Sequence, residues 1–227
     1  MWLVLSALLL SIPSHAALPV PDRPVVTASG DLISAGTLEM ETGARWMEGY
    51  TAPTRLKYAI GDAFEPRFYL DMAGIDGGDP DMHLEGKIKV ARERDMGFAV
   101  LGATSLPAYE GDRWDGRILA LATGHMDKLD VSVNVGLALE GRGGDAIGLA
   151  GVPLSAALGG PLSGSLSGFG EAATLINGGF SHWIFDAGLR LKLTHILLAD
   201  AAAGWSQEAA SPFVQVGLTM NLGVLGG

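Results

Sequence analysis

The chain has no cysteine, which excludes disulfides, thiolate metal sites and a cysteine nucleophile. Beyond its first dozen residues it has no run near the ~18 consecutive apolar residues that a transmembrane helix needs. Bases are scarce: 15 Lys and Arg against 25 Asp and Glu give a net charge of −10. An acidic chain of this kind does not offer the basic stripe that a phosphate backbone requires, so nucleic acid is excluded as a partner. Only 18% of residues are charged while 48% are hydrophobic, which also argues against a disordered chain.

What the chain does have is alternation. In Leu129-Asp130-Val131-Ser132-Val133-Asn134-Val135-Gly136-Leu137 every odd position is aliphatic and every even one polar or glycine. Successive strand side chains point to opposite faces, so such a segment has one apolar wall and one polar wall. Phe185 to Leu193 repeats the pattern with Asp186, Arg190 and Lys192 on the polar side. Full charges on that side must be wet or ion-paired.

At the N-terminus, Trp2 to Ile12 is an apolar run too short to span a bilayer, and Ser14-His15-Ala16 has the small-x-small form of a signal-peptidase site. No Lys or Arg precedes the run. The expected division is a signal peptide over 1–16, an extended periplasmic leader over 17–35 carrying Pro19, Pro21 and Pro24, and one domain over 36–227. That domain reads as twelve strands near 36–48, 54–61, 63–73, 82–92, 96–105, 114–124, 129–139, 146–153, 162–172, 174–182, 184–193 and 212–222. Repeated two-faced strands behind an export signal predict an all-β transmembrane antiparallel barrel in the outer membrane of a Gram-negative-type envelope, apolar towards lipid and polar inside.

The gaps support the same reading, because such barrels have short periplasmic turns and longer outer loops. Tight turns are expected at Gly61-Asp62, around 93–95, around 125–128 and near Trp183, with longer loops over 74–81, 106–113 and 194–211; Ser155 to Pro161 is long for a turn. Aromatics near strand ends suit interfacial girdles: Trp46, Trp114 and Phe213 at the outer rim, Phe64 and Trp183 at the inner.

The polar faces define the expected lumen: Glu39, Glu41, Arg45, Arg55, Lys57, Glu65, Arg67, Asp71, His83, Glu85, Lys87, Lys89, Asp130, Asn134, Asp186, Arg190, Lys192 and Gln215, with Thr219 and Asn221 on the same side of the last strand. Acids and bases nearly cancel among these, which suits a lumen crossed by ion pairs and predicts weak charge selectivity. No enzyme centre emerges. Ser181 and His182 are adjacent and so face opposite sides; His125 and Asp127 share a parity without a serine; His83 and Glu85 share a face with Lys87 and Lys89, which favours structural ion pairing. Asp76-Gly77-Gly78-Asp79-Pro80-Asp81 lacks the ligand spacing and closing glutamate of a calcium loop. No cofactor and no metal are expected.

Ser34 to Gly43, followed by Leu56-Lys57-Tyr58-Ala59-Ile60-Gly61-Asp62-Ala63-Phe64-Glu65-Pro66-Arg67, resembles the outer-membrane family named for the meta-pathway of phenol degradation. Phe180 to Lys192 is similar to that family's penultimate hairpin. The resemblance implies a barrel that passes small solutes, aromatic or hydrophobic ones among them, and has no catalytic residues. Members finish on an aromatic residue, whereas this chain runs Asn221-Leu222-Gly223-Val224-Leu225-Gly226-Gly227. The expected protein is a monomeric channel or facilitator in contact with outer-membrane lipid and a small-molecule solute. Its rivals are a non-conducting structural or interaction barrel and a soluble exported β protein.

Overall fold

The computed structural model describes residues 27–73, 81–106, 113–142, 147–178 and 180–224. Twelve strands follow in order: β1 (Thr37–Trp46), β2 (Tyr50–Tyr58), β3 (Phe64–Ala73), β4 (Asp81–Glu93), β5 (Met96–Leu106), β6 (Arg113–Met126), β7 (Leu129–Arg142), β8 (Gly148–Ser163), β9 (Leu166–Asn177), β10 (Phe180–Lys192), β11 (Leu197–Ser206) and β12 (Ser211–Val224). Each pairs antiparallel with its sequence neighbour, and β1 pairs with β12, so the sheet is a closed barrel. Closure gives every strand two partners and leaves no open edge, the condition under which strands can cross lipid.

Side-chain parity decides which face is which. Leu84, Ile88, Ile118, Val133, Val135, Phe185, Leu189, Val214 and Val216 stand exposed on the outside. Glu39, Glu41, Lys57, Glu65, Arg67, Glu85 and Lys87 are buried on the inside. A water-soluble β protein buries the opposite set, so a continuous exposed apolar wall around a charged interior is the arrangement of a barrel immersed in lipid.

Both chain ends of the barrel lie at one mouth, here called the terminal mouth. Its turns include the two-residue links 94–95, 127–128 and 164–165. The opposite mouth, the loop mouth, carries the connections over 74–80, 107–112 and 143–147. The expected asymmetry holds in part: the terminal mouth also carries the longer link 59–63, and at the loop mouth β1 and β2 are joined over 47–49 while β9 ends at Asn177 and β10 begins at Phe180. The acidic segment 76–80 lies outside the described residues.

From Gly148 to Ser206 the strands differ from the sequence expectation. Residues 155–161 belong to β8, the stretch 174–182 is divided between β9 and β10 by a turn at Gly178, and Leu197–Ser206 is the strand β11 rather than part of an outer loop. Phe180–Lys192 is one strand, not a hairpin. The physical reason is weak contrast: β11 reads LLADAAAGWS, with alanine on both faces, so Asp200 is its only charge. In β8 the prolines mimic a loop. The register to β7 passes from Val135↔Leu154 to Ala138↔Gly151, so Pro153 falls where that ladder is interrupted, and Pro161 sits at a register shift against β9.

Two aromatics also differ. Phe213 lies at the loop-mouth end of β12 but is buried on the inner face under the Arg45 guanidinium, 6.0 Å from its ring centroid, and so is not part of a lipid-facing girdle. Trp183 lies at the loop-mouth end of β10, stacked on Phe185 at 5.6 Å, rather than at the inner rim. Trp46 and Tyr50 pair at 5.6 Å at that same mouth.

Candidate functional site

The lumen is built by cross-strand register. Glu39 stands opposite Lys57 and Glu41 opposite Arg55; Glu65 stands opposite Lys87 and Arg67 opposite Glu85. Opposed residues of unlike charge attract across a sheet, and here they close into one network. Lys57 Nζ donates to Glu39 Oε1 at 2.9 Å and Glu41 Oε1 at 2.7 Å. Arg55 reaches Glu41 at 3.2 Å and Glu85 at 3.5 Å. Arg67 pairs with Glu65 at 2.6 Å, and Arg117 reaches past β5 to Glu85 at 2.8 Å. Each buried carboxylate in this wall therefore faces at least one base, as desolvated charges require.

Of the residues expected to line the lumen, Glu39, Glu41, Lys57, Glu65, Arg67, Glu85, Lys87, Asn134, Asp186 and Gln215 are buried on the inner face. Arg45, Arg55, Asp71, His83, Lys89 and Arg190 are half-buried there. Asp130 and Lys192 have inward parity but are exposed at the terminal mouth, so they belong to its rim. His83 pairs with Asp81 at 2.8 Å rather than with Glu85, which the arginines occupy.

The structure adds residues that the sequence reading passed over. Arg117, Thr123, Ser155, Glu171 and Asp200 also face inward. Their parity was available in the sequence, but small residues on both faces of β6, β8, β9 and β11 hid it. Glu171, Asp186 and Asp200 place three acids on β9–β11, whereas most bases sit on β1–β4 and β6. β1–β4 also carry Glu39, Glu41, Glu65, Asp71 and Glu85, so the two signs are interleaved there, while the acids of β9–β11 form a second group with Arg190 opposite Asp200. A second addition is apolar: Ala99, Leu101, Leu119 and Leu121 are buried on the inner face of β5 and β6, with Ala28 packed among them and Leu32 against them.

Ala28 belongs to a segment that the sequence assigned to a periplasmic leader. Over its described part, residues 27–35, the leader is irregular as expected, but it lies inside the barrel and crosses the lumen. Thr27 donates from its backbone N–H and its hydroxyl to Glu171 Oε1 of β9, at 2.5 and 2.6 Å. The Gly30 N–H donates to Thr123 Oγ1 of β6 at 2.8 Å. Lys87 Nζ of β4 donates to the carbonyls of Ser29 and Asp31 at 3.2 and 2.5 Å. The Ile33 N–H donates to Glu65 Oε2 of β3 at 2.8 Å. Asp31 also meets His125 Nε2 at 2.8 Å, whose Nδ1 meets Asp130 at 2.7 Å. This strap lies hard against β5: a Cβ on Gly30 would come within 2.6 Å of the Gly97 carbonyl oxygen, a contact that only glycine permits.

On the loop-mouth side of the strap is a cavity of about 280 Å³, lined by Arg45, Arg55, Tyr69, Arg117 and Gln215 among others and floored by Ala28. Arg45 Nε, Arg117 Nε and Gln215 Nε2 are buried there without a protein acceptor. Buried donors are almost always satisfied, so these atoms are matched by what fills the cavity, water or solute.

No family model and no curated protein matches this chain. Among solved structures, the KdgM porin superposes with a TM-score of 0.66 at 8% identity, covering 80% of this chain and 98% of that one. The same values hold for the KdgM porin in complex with disordered oligogalacturonate. The NanC porin gives a TM-score of 0.64 at 6% identity, again covering 80% of this chain and 98% of its own. At such identities the likeness is one of fold: this chain has the closed antiparallel barrel found in outer-membrane porins.

Proposed function

We propose that the protein is an outer-membrane channel for small polar solutes and not an enzyme. The observation that carries this reading is the charged, cavity-bearing interior enclosed by an apolar outer wall. A wall of that kind calls for lipid outside, and unsatisfied donors around an open cavity call for a polar occupant inside. The likeness in fold to the KdgM and NanC porins supports the same reading.

The lining also bears on solute class. The apolar stripe on β5 and β6, Ala99 with Leu101, Leu119 and Leu121, is covered by Ala28 and Leu32 of the strap. An aromatic or hydrophobic solute, as the phenol-pathway resemblance implies, would find that stripe covered and would meet instead the cavity of about 140 Å³ lined by Leu119, Pro153, Leu154 and Ile184. A small anion would meet Arg45, which no carboxylate approaches within 4.0 Å among the described residues, and then Arg55 and Arg117. That oligogalacturonate, an acidic sugar chain, was captured in one of the porins resembled is in keeping with anionic cargo.

Ion conductance of the purified protein in a planar bilayer tests the reading. Arg45→Glu exchanges one fixed positive charge for a negative one beside the cavity, so the reversal potential under a salt gradient is expected to move in the cation-selective direction. Absence of conductance from both the intact protein and a variant lacking residues 27–33 would overturn the channel in favour of a non-conducting structural barrel. The strap across the lumen is the observation that favours that second reading.

A further inference from the structure

We propose that Thr27–Ile33 is a gate, seated in the closed position in this structure, and that solute passes only when the strap swings out of the lumen about Ser34–Gly36. This inference rests on the channel reading and adds to it a moving part.

Three observations carry it. First, the strap separates two cavities. The larger, about 280 Å³, opens towards the loop mouth and ends on Ala28. The other, about 210 Å³, lies on the terminal side and is lined by Gly30, Asp31, Leu32, Ile33 and Ser34 together with Lys89 and Arg92. A path between them runs through the strap itself.

Second, the strap is attached by individual side-chain hydrogen bonds and not by a backbone ladder. Thr27–Ile33 forms no ladder with any strand; it is held by side-chain hydrogen bonds from Glu171, Thr123, Lys87, Glu65 and His125. Only Ala28, Leu32 and Ile33 contribute apolar burial. Segments with few apolar contacts and isolated polar attachments lie at the low-stability end of a fold, where opening is local.

Third, a hinge is present. Gly36 has φ +73°, donates to the Ala59 carbonyl at 2.9 Å, and begins the stretch that is fixed to the wall; Thr37 donates back to Ser34 at 3.0 Å. Everything after Gly36 is barrel and everything from Ser34 backward is strap. A rotation at Ser34–Gly36 moves the strap without breaking a strand pairing.

The absence of native cysteine allows a clean test. Ser29 Oγ and Thr123 Oγ1 are 3.3 Å apart, so Ser29→Cys with Thr123→Cys places two thiols within reach of a disulfide that pins the strap to β6. The oxidised double variant is expected to lose at least nine-tenths of its open-channel events, and reduction is expected to restore them. Glu171→Gln, which weakens the Thr27 anchor without disturbing a strand, is expected to raise the open fraction several-fold. Heat-dependent migration on a denaturing gel verifies that each variant is folded. Equal conductance of the oxidised and reduced forms, with the disulfide verified by mass spectrometry, would overturn the gate and leave the channel reading standing. Silence in every form, including a variant without residues 27–33, would overturn both.

Discussion

Lys57→Met is expected to abolish or severely reduce folding into lipid vesicles, with a loss on the order of 3–5 kcal/mol, the usual cost of removing one partner from a buried charge pair. Lys57 has no exposed side-chain surface and its ammonium lies between Glu39 and Glu41. Without it, Glu39 and Glu41 are two like charges on neighbouring positions of one strand face, and Arg55, which reaches Glu41, is shared with Glu85. The triple variant Lys57→Met, Glu39→Gln, Glu41→Gln removes both the base and the charges it served, and is expected to recover most of the loss. Urea titration of the folded, heat-modifiable form in vesicles measures both variants. A single variant as stable as the wild type would mean that the ladder on β1 and β2 contributes no net stability.

Val133→Arg is expected to cost about 2–4 kcal/mol and to lower folded yield sharply, as arginine at the midplane of a lipid face does. Val133 lies in the middle of β7, 48% exposed on the outer wall. Its neighbour Asn134 points the other way, beside a cavity of about 140 Å³ that Ser155, Thr174 and Glu208 also line. Asn134→Arg therefore places the same charge beside that cavity, which Glu208 also lines, and is expected to fold with near-normal yield. Equal damage at the two positions, read from the same vesicle titration, would contradict the assignment of the faces.

The alternation that identified the barrel is legible where side chains contrast. In β1 to β4, β7 and β12 charged or polar residues recur on one parity between apolar residues on the other, and the strands lie close to where that pattern puts them. It fades where both faces are small. Closely packed neighbours such as Gly188 and Ala202 leave little room for large side chains on the inner wall of β10 and β11, and with them goes the contrast that marks a strand. The strap was illegible for another reason. Thr27, Gly30 and Ile33 bind largely through backbone groups, which are the same for every residue, so no side-chain pattern announces that the segment turns into the lumen.

The strap also bears on how the barrel comes to be closed. The final ladder joins β1 to β12, strands at opposite ends of the chain, and contacts so distant in sequence form slowly because a long loop must first be drawn in. The Thr27–Glu171 contact spans 144 residues and ties the chain just ahead of β1 to β9, three strands short of the seam. A contact of this kind, present ahead of the seam, shortens the loop that the β1–β12 ladder has to draw in. A segment that reads as an extended periplasmic leader thus has the geometry of a template for the seam, and its loss would be felt first as slow insertion rather than as an unstable product.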